Sequence, residues 1–137
     1  MRVLVDTSVW VDFFNGYPSP EREALRRLIR DEVEIVTCGP IVSEFLQGIR
    51  DVGSLARLEK QFCDMEWLTP GEPETYLAAA SLYRSLRSSG LTIRSTIDCI
   101  IALLAEENDV FLLFKDRDLQ SIVDSGHLRI RALPFNR

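Results

Sequence analysis

The chain has 137 residues, 46% of them apolar and 27% charged, with 21 acidic residues against 16 basic ones and a formal charge of −5 at pH 7. One domain over residues 1–137 is expected to bury roughly two-thirds of its unfolded surface, and the composition excludes disordered and fibrous classes. No apolar stretch approaches the ~20 residues of a membrane span, and Asp6 comes too early for a signal peptide, so a cytoplasmic protein is expected.

In chain order, Arg2 to Val5 reads as a β-branched strand ending at Asp6. A compact helix, Ser8 to Phe14, and a turn at Asn15-Gly16-Tyr17-Pro18 follow. Ser19 and Pro20 supply an N-cap and an N1 proline for a helix reaching about Arg30, whose Arg22, Arg26 and Arg30 stripe is read as a solvated face paired with local acids. Glu34 to Thr37 is a second strand. Gly39-Pro40 opens a helix from Ile41 to about Arg50, and Leu55 to Phe62 is helical again after a break at Gly53. Met65 to Leu68 is a third strand, and Glu74 to Ser88 the longest helix. Ser95 or Thr96 caps an apolar helix from Ile97 to about Glu107. Val110 to Phe114 is an uninterrupted apolar run, as expected of a strand buried on both faces. Asp116 to Ser125 is a short helix or loop ended by Gly126, and Leu128 to Leu133 a last strand. Strands alternating with helices predict an α/β fold, a three-layer α/β/α sandwich with a mostly parallel central sheet. Cys38, Cys63 and Cys99 are odd in number, far apart and set among apolar neighbours, the pattern of reduced core cysteines.

His127 is the only histidine. Paired-histidine acid/base chemistry, HExxH sites and four-ligand Cys/His zinc sites therefore lack their material. Oxygen ligands are plentiful instead. Most acids sit in polar company, but four adjoin or interrupt apolar runs: Asp6 in VLVDTSVWV, Glu44 in IVSEFLQ, Asp98 in TIDCIIALL and Asp116 in VFLLFKD. Burying an isolated carboxylate costs several kcal/mol, so each needs a proton, a base or a cation, and only Lys115 and Arg117 lie in these windows. Asp6 and Asp116 follow predicted strands directly, Glu44 lies in the first turns of the helix after the second strand, and Asp98 lies in the first turn of its helix. Ligands of an open parallel sheet bind in the crevice outside the carboxyl ends of its strands. Four carboxylates meeting there would suit Mg²⁺ or Mn²⁺. Taken singly, Asp6 and Asp116 also read as N-caps and Asp98 as a partner of its helix dipole. Thr7 and Ser8 are candidates for holding water or substrate, or for an ST-turn starting the helix.

The segments VDTSVWVDFF, PIVSEFLQG, IRSTIDCIIALLAEEN and the apolar strand leading into KDRDLQSI resemble, in that order and over nearly the whole chain, the PIN-domain family and within it the VapC-type toxin ribonucleases. The resemblance implies that Asp6 and Asp98 are metal-binding aspartates, Glu44 a catalytic glutamate acting partly through water, and Asp116 the fourth acid. Asp118 is the alternative for that fourth role: the family commonly has an acid followed by phenylalanine, whereas Leu119 follows Asp118 here. The implied activity is Mg²⁺- or Mn²⁺-dependent endonucleolytic cleavage of RNA by activated water, leaving 5′-phosphate and 3′-hydroxyl ends.

A sequence pI near 4.9 runs against an RNA substrate, whose binding normally rests on basic surface. Yet 14 of the 16 bases are Arg, suited to bidentate phosphate contact and base stacking. Arg94, Lys115 and Arg117 are candidates for substrate contact, with Arg84 and Arg87 leading toward the Asp98 helix. Masking four site acids with metal brings the formal −5 to about −1. Only one stripe of the first helix can face its own sheet, which leaves Trp10 and Phe14, or alternatively Val9 and Phe13, for a partner unless the core covers them all. Here the resemblance implies a VapB-type antitoxin, with Trp10, Phe13 and Phe14 as candidate contacts, and a homodimer. Two other readings fit less of the sequence. One is a PIN-type nuclease of RNA maturation or structured DNA without an antitoxin; the other is a phospho-accepting signalling domain, which wants paired acids after the first strand where Thr7 and Ser8 stand.

Overall fold

A computed structural model describes residues 1–133; the remaining four residues of the expected 1–137 domain lie outside the described residues. The chain runs β1 (Arg2–Val5), α1 (Thr7–Asn15), α2 (Pro20–Arg30), β2 (Glu34–Cys38), α3 (Gly39–Leu46), α4 (Val52–Cys63), β3 (Glu66–Leu68), α5 (Glu74–Ser88), α6 (Thr96–Glu107), β4 (Phe111–Leu113), α7 (Arg117–Ser125) and β5 (Arg131–Ala132). The strands form one sheet in the order β3-β2-β1-β4-β5, and every pairing is parallel. The chain winds outward from β1 in one direction through β2 and β3, then returns to β4 and winds outward in the other. Right-handed crossovers place the helices of the two windings on opposite faces, and α1, α2, α3 and α4 pack among themselves, as do α5, α6 and α7. The expected α/β/α sandwich is the one observed.

β1 is central, paired with β2 through Leu4 opposite Val36 and with β4 through Leu4 opposite Leu112. Its Val3, Leu4 and Val5 are wholly buried, the state of a strand covered on both faces. Next to it, Phe45 of α3 and Phe62 of α4 close an aromatic cluster on Trp10 of α1, with edge-to-face pairs at 5.3 Å (Trp10 to Phe62) and 5.8 Å (Phe45 to Phe62).

Several element boundaries differ from the sequence expectation. α3 stops at Leu46, not near Arg50, and α4 begins at Val52 with Gly53 inside its first turn. The cause is Asp51, whose carboxylate caps α4 by accepting from Ser54 N at 2.8 Å. β5 is confined to Arg131 and Ala132 because only Phe111 and Leu112 of the three-residue β4 pair with it; Arg129 N–H goes to the Glu106 carboxylate instead, at 2.6 Å. The 116–125 segment is a helix, closed by Gly126 in the left-handed region at φ 76°. Cys38 and Cys99 are buried, but Cys63, the last residue of α4, is exposed, and all three are free. The α2 arginines behave as read: Arg22 and Arg26 pair with Glu23, and Arg30 with Asp31. No helix among the described residues is long and apolar enough to cross a membrane.

Leu4→Ala in the central strand is expected to lower unfolding free energy by about 2–5 kcal/mol, whereas Val52→Ala, at a position 79% exposed, should stay within about 0.5 kcal/mol of wild type. Urea unfolding followed by circular dichroism measures both; equal losses would mean that β1 does not organise the core.

Candidate metal centre

The two windings part between β1 and β4, and the two loops leaving those strands carry the first and fourth acids. Asp6 N–H donates to Leu113 O at 2.9 Å, extending the β1–β4 ladder by one bond. Asp6 then caps α1: its Oδ2 accepts from Ser8 N at 3.1 Å and from Ser8 Oγ at 2.6 Å. Ser8 Oγ also accepts from Lys115 N at 3.1 Å, so one hydroxyl joins the β1–α1 loop to the β4–α7 loop. Asp116 caps α7 by accepting from Leu119 N at 3.0 Å. Ser95 caps α6 through Ile97 N at 3.1 Å, which sets Asp98 in the first turn. Glu44 is an exposed residue of α3.

These acids share one electrostatic environment. Single carboxylate oxygens of Asp98, Asp116 and Asp118 all lie within 4.8 Å of one another. Burial pushes Asp98 up to about 7, with the charges of Asp116, Asp6, Asp118 and Glu44 adding to the rise. Burial likewise raises Asp6, which is 4% exposed, despite its two bonds from Ser8; Asp116 and Glu44 add to that rise. For Asp118, burial raises the pKa, but side-chain and backbone hydrogen bonds from Arg94 outweigh it and hold the carboxyl below its ordinary value. Asp98 thus feels the other three acids singled out in the sequence and the alternative Asp118, and the group with oxygens close enough to share one ion is Asp98, Asp116 and Asp118, without Asp6 or Glu44. The donor set is all oxygen, crowded, and short of positive charge, which is the chemistry of a hard divalent-cation site.

The expected substrate contacts divide. Thr7 is buried and its hydroxyl donates to Ile41 O at 3.4 Å, tying α1 to α3. Lys115 carries its ammonium to Asp12 Oδ2 at 2.8 Å and lies 5.5 Å over the Tyr17 ring, so its charge is committed to α1. Arg94 turns its guanidinium onto the acids, with Nε 2.9 Å from Asp118 Oδ2 and Nη2 3.2 Å from Asp116 Oδ1. Ser8, Arg94, Lys115 and Arg117 line a cavity of 500 Å³ beside Asp116.

Two features escaped the sequence reading. Asp12 is 6% exposed and interrupts the apolar run VWVDFF; the signature that singled out the other acids applied to it too, and Lys115 is its neutralising base. Arg94 as a counter-ion had no local signal, because its acids lie 22 and 24 residues away.

The first helix splits its aromatics in neither of the expected pairs. Val9 and Trp10 are both buried, Phe13 is half-buried and Phe14 is 41% exposed. Trp10, Phe13 and Phe14 nevertheless line one apolar groove of 260 Å³ with Phe45, Leu58 and Met65. The buried Trp10 Nε1 has no hydrogen-bond partner.

Comparison with known proteins bears on the family and the fold. The family model described as PIN domain matches residues 3–124. Ribonuclease VapC11 of Mycobacterium tuberculosis is 35% identical over 128 residues, covering 93% of this chain and 96% of that protein. A VapC ribonuclease of Mycobacterium bovis matches with the same identity, 35%, and the same coverage, 93% and 96%. Among solved structures, VapBC-1 from nontypeable Haemophilus influenzae superposes with a TM-score of 0.70 at 18% identity, covering 97% of each chain. VapBC2 from Rickettsia felis, bound to a DNA fragment from its promoter, gives 0.69 at 17% identity over 98% of this chain and 100% of that one.

A native pKa above the unfolded value means that the folded protein binds the proton more tightly, so stability falls as pH rises from the ordinary carboxyl value of 3.8 to about 7 for Asp98. In metal-free protein, Asp98→Asn is expected to melt above wild type, the gap widening across that interval and levelling beyond it. Thermal melts in chelator at stepped pH measure the gap, and a gap that narrows with rising pH would contradict the assignment.

Proposed function

The chain belongs to the PIN domain family and within it to the VapC ribonucleases, and on that premise we propose that it is the ribonuclease toxin of a toxin–antitoxin pair, hydrolysing RNA at a divalent-metal site. The observation that carries the metal reading is the crowding of carboxylates at the parting of the two windings, where burial, with the neighbouring acids adding to it, pushes Asp98 up to about 7. Asp6, Asp98 and Asp116 would hold Mg²⁺ or Mn²⁺, with Glu44 on the exposed side of the site acting on water. A bound ion of this kind polarises a phosphoryl oxygen and acidifies water. The protein's own share is positional. Ser8 occupies one oxygen of Asp6, and Leu119 N–H occupies one oxygen of Asp116, which fixes each carboxylate and leaves its other oxygen free of the cap. Glu44 is exposed, so its carboxylate would be open to water and would serve as the base for the attacking one.

With water as nucleophile, the products carry 5′-phosphate and 3′-hydroxyl ends. Sequencing of RNA ends after brief induction in cells, with Asp98→Asn as control, should reveal a discrete set of such ends in the wild-type culture alone. Cyclic 2′,3′-phosphate ends would refute hydrolysis by activated water. In purified protein, Asp6→Asn and Asp98→Asn should each reduce cleavage by at least about a hundredfold and lose the rise in Tm that Mn²⁺ gives wild type.

The groove of Trp10, Phe13 and Phe14 is the proposed seat of a VapB-type antitoxin, since it is apolar, partly open and distinct from the acids. The cytoplasm, where such pairs meet RNA, is the proposed location, and a homodimer the proposed assembly. Phe14→Glu is expected to leave cleavage unchanged and to abolish neutralisation by the cognate antitoxin, scored as growth arrest on co-expression. Full neutralisation would place the antitoxin elsewhere.

A further inference from the structure

One arginine holds two of the crowded acids, and it holds them unequally. Asp118 Oδ2 accepts both Arg94 N–H at 3.1 Å and Nε at 2.9 Å, the first of these from the backbone. Asp116 takes a single longer contact, Nη2 to Oδ1 at 3.2 Å. The other Asp116 oxygen, Oδ2, is committed to capping α7, so Oδ1 is the oxygen left to face a cation, and Arg94 is on it. The side chain is 74% exposed, so swinging its outer end surrenders little packing. Two cations a few ångströms apart repel. An ion on Asp98 and Asp116 and a guanidinium on Asp116 therefore compete for the same oxygen.

We propose that Arg94 is an exchangeable counter-ion: it closes Asp116 in the metal-free protein, yields Asp116 Oδ1 to the divalent ion, and stays tied to Asp118 with its freed edge toward an RNA phosphate. This rests on the metal-dependent reading above. It also divides the labour of the two late acids: Asp116 is a metal ligand and Asp118 a positioning residue for Arg94. The 500 Å³ cavity bordered by Arg94 and Arg117 gives a phosphate room at that edge. Lys115, the third base on its wall, is spoken for by Asp12.

Titrating Mn²⁺ into chelator-stripped protein, with free ion read by electron paramagnetic resonance, tests the exchange. Arg94→Gln should bind Mn²⁺ roughly two- to fivefold more tightly than wild type, the scale of one exposed ion pair. With Mn²⁺ present, the same variant should bind a fluorescein-labelled single-stranded oligoribonucleotide more weakly by fluorescence anisotropy. A merely structural role would not move the two affinities in opposite directions. Asp118→Asn should keep Mn²⁺ binding within a few fold of wild type while weakening the oligoribonucleotide. Unchanged or weaker Mn²⁺ binding by Arg94→Gln, or an Asp118→Asn variant that loses Mn²⁺ as fully as Asp98→Asn, overturns the exchange and leaves the metal reading standing. Wild type that takes up no Mn²⁺ overturns both.

Discussion

One hydroxyl holds the site together. Ser8 Oγ donates to Asp6 at the end of β1 and accepts from Lys115 N–H in the loop that leaves β4. Those two loops leave adjacent parallel strands in opposite windings of the sheet, and this is the place where such folds open a crevice. With Asp6 N–H on Leu113 O, the serine fixes how far the first acid lies from the fourth. Lys115 reinforces the same junction from its other end, reaching across to Asp12 in α1.

Capping and the site chemistry use the same carboxylates. Asp6 and Asp116 each bind the backbone of the helix they precede, contributions worth about 1 kcal/mol each. The same bonds leave the second oxygen of each carboxylate outside the cap, that of Asp116 on Arg94. An N-cap thus holds a carboxylate at a strand end, and for Asp6 it does so with no basic side chain among its contacts. The helix N-termini offset part of the repulsion among the acids, while burial first and the neighbouring acids second still push Asp98 up to about 7.

What the sequence could reveal follows from the range of its signals. Strand and helix identity came from local periodicity, and caps such as Ser19 and Ser95 act within three residues, so the order of elements was readable and with it the sandwich. The acids were readable because a carboxylate in an apolar run is anomalous by itself. Boundaries set by a partner were not: β5 is short because β4 is short, and α4 starts early because Asp51 caps it. Pairings across the fold were equally hidden. Nothing in RST or KDRD tells which acid Arg94 will choose, and nothing in WVDFF tells that Lys115 will neutralise Asp12. Trp10 shows the remaining ambiguity, because burial against Phe62 depends on a helix fifty residues later in the chain.

The acidity of the chain takes on a different meaning once its arginines are followed to their partners. A formal −5 opposes RNA as an average, but RNA meets a local field. In the metal-free protein that field is an acid cluster answered by the single guanidinium of Arg94 among the contacts described. A divalent ion would offset part of that negative field and, on the exchange proposed for Arg94, turn that guanidinium outward as well. Coupling of this kind is reciprocal: whatever factor the ion adds to phosphate affinity, a bound phosphate must add to ion affinity. On that reading the unfavourable charge would couple RNA to metal, each ligand relieving part of the cost of crowding these carboxylates in the folded chain.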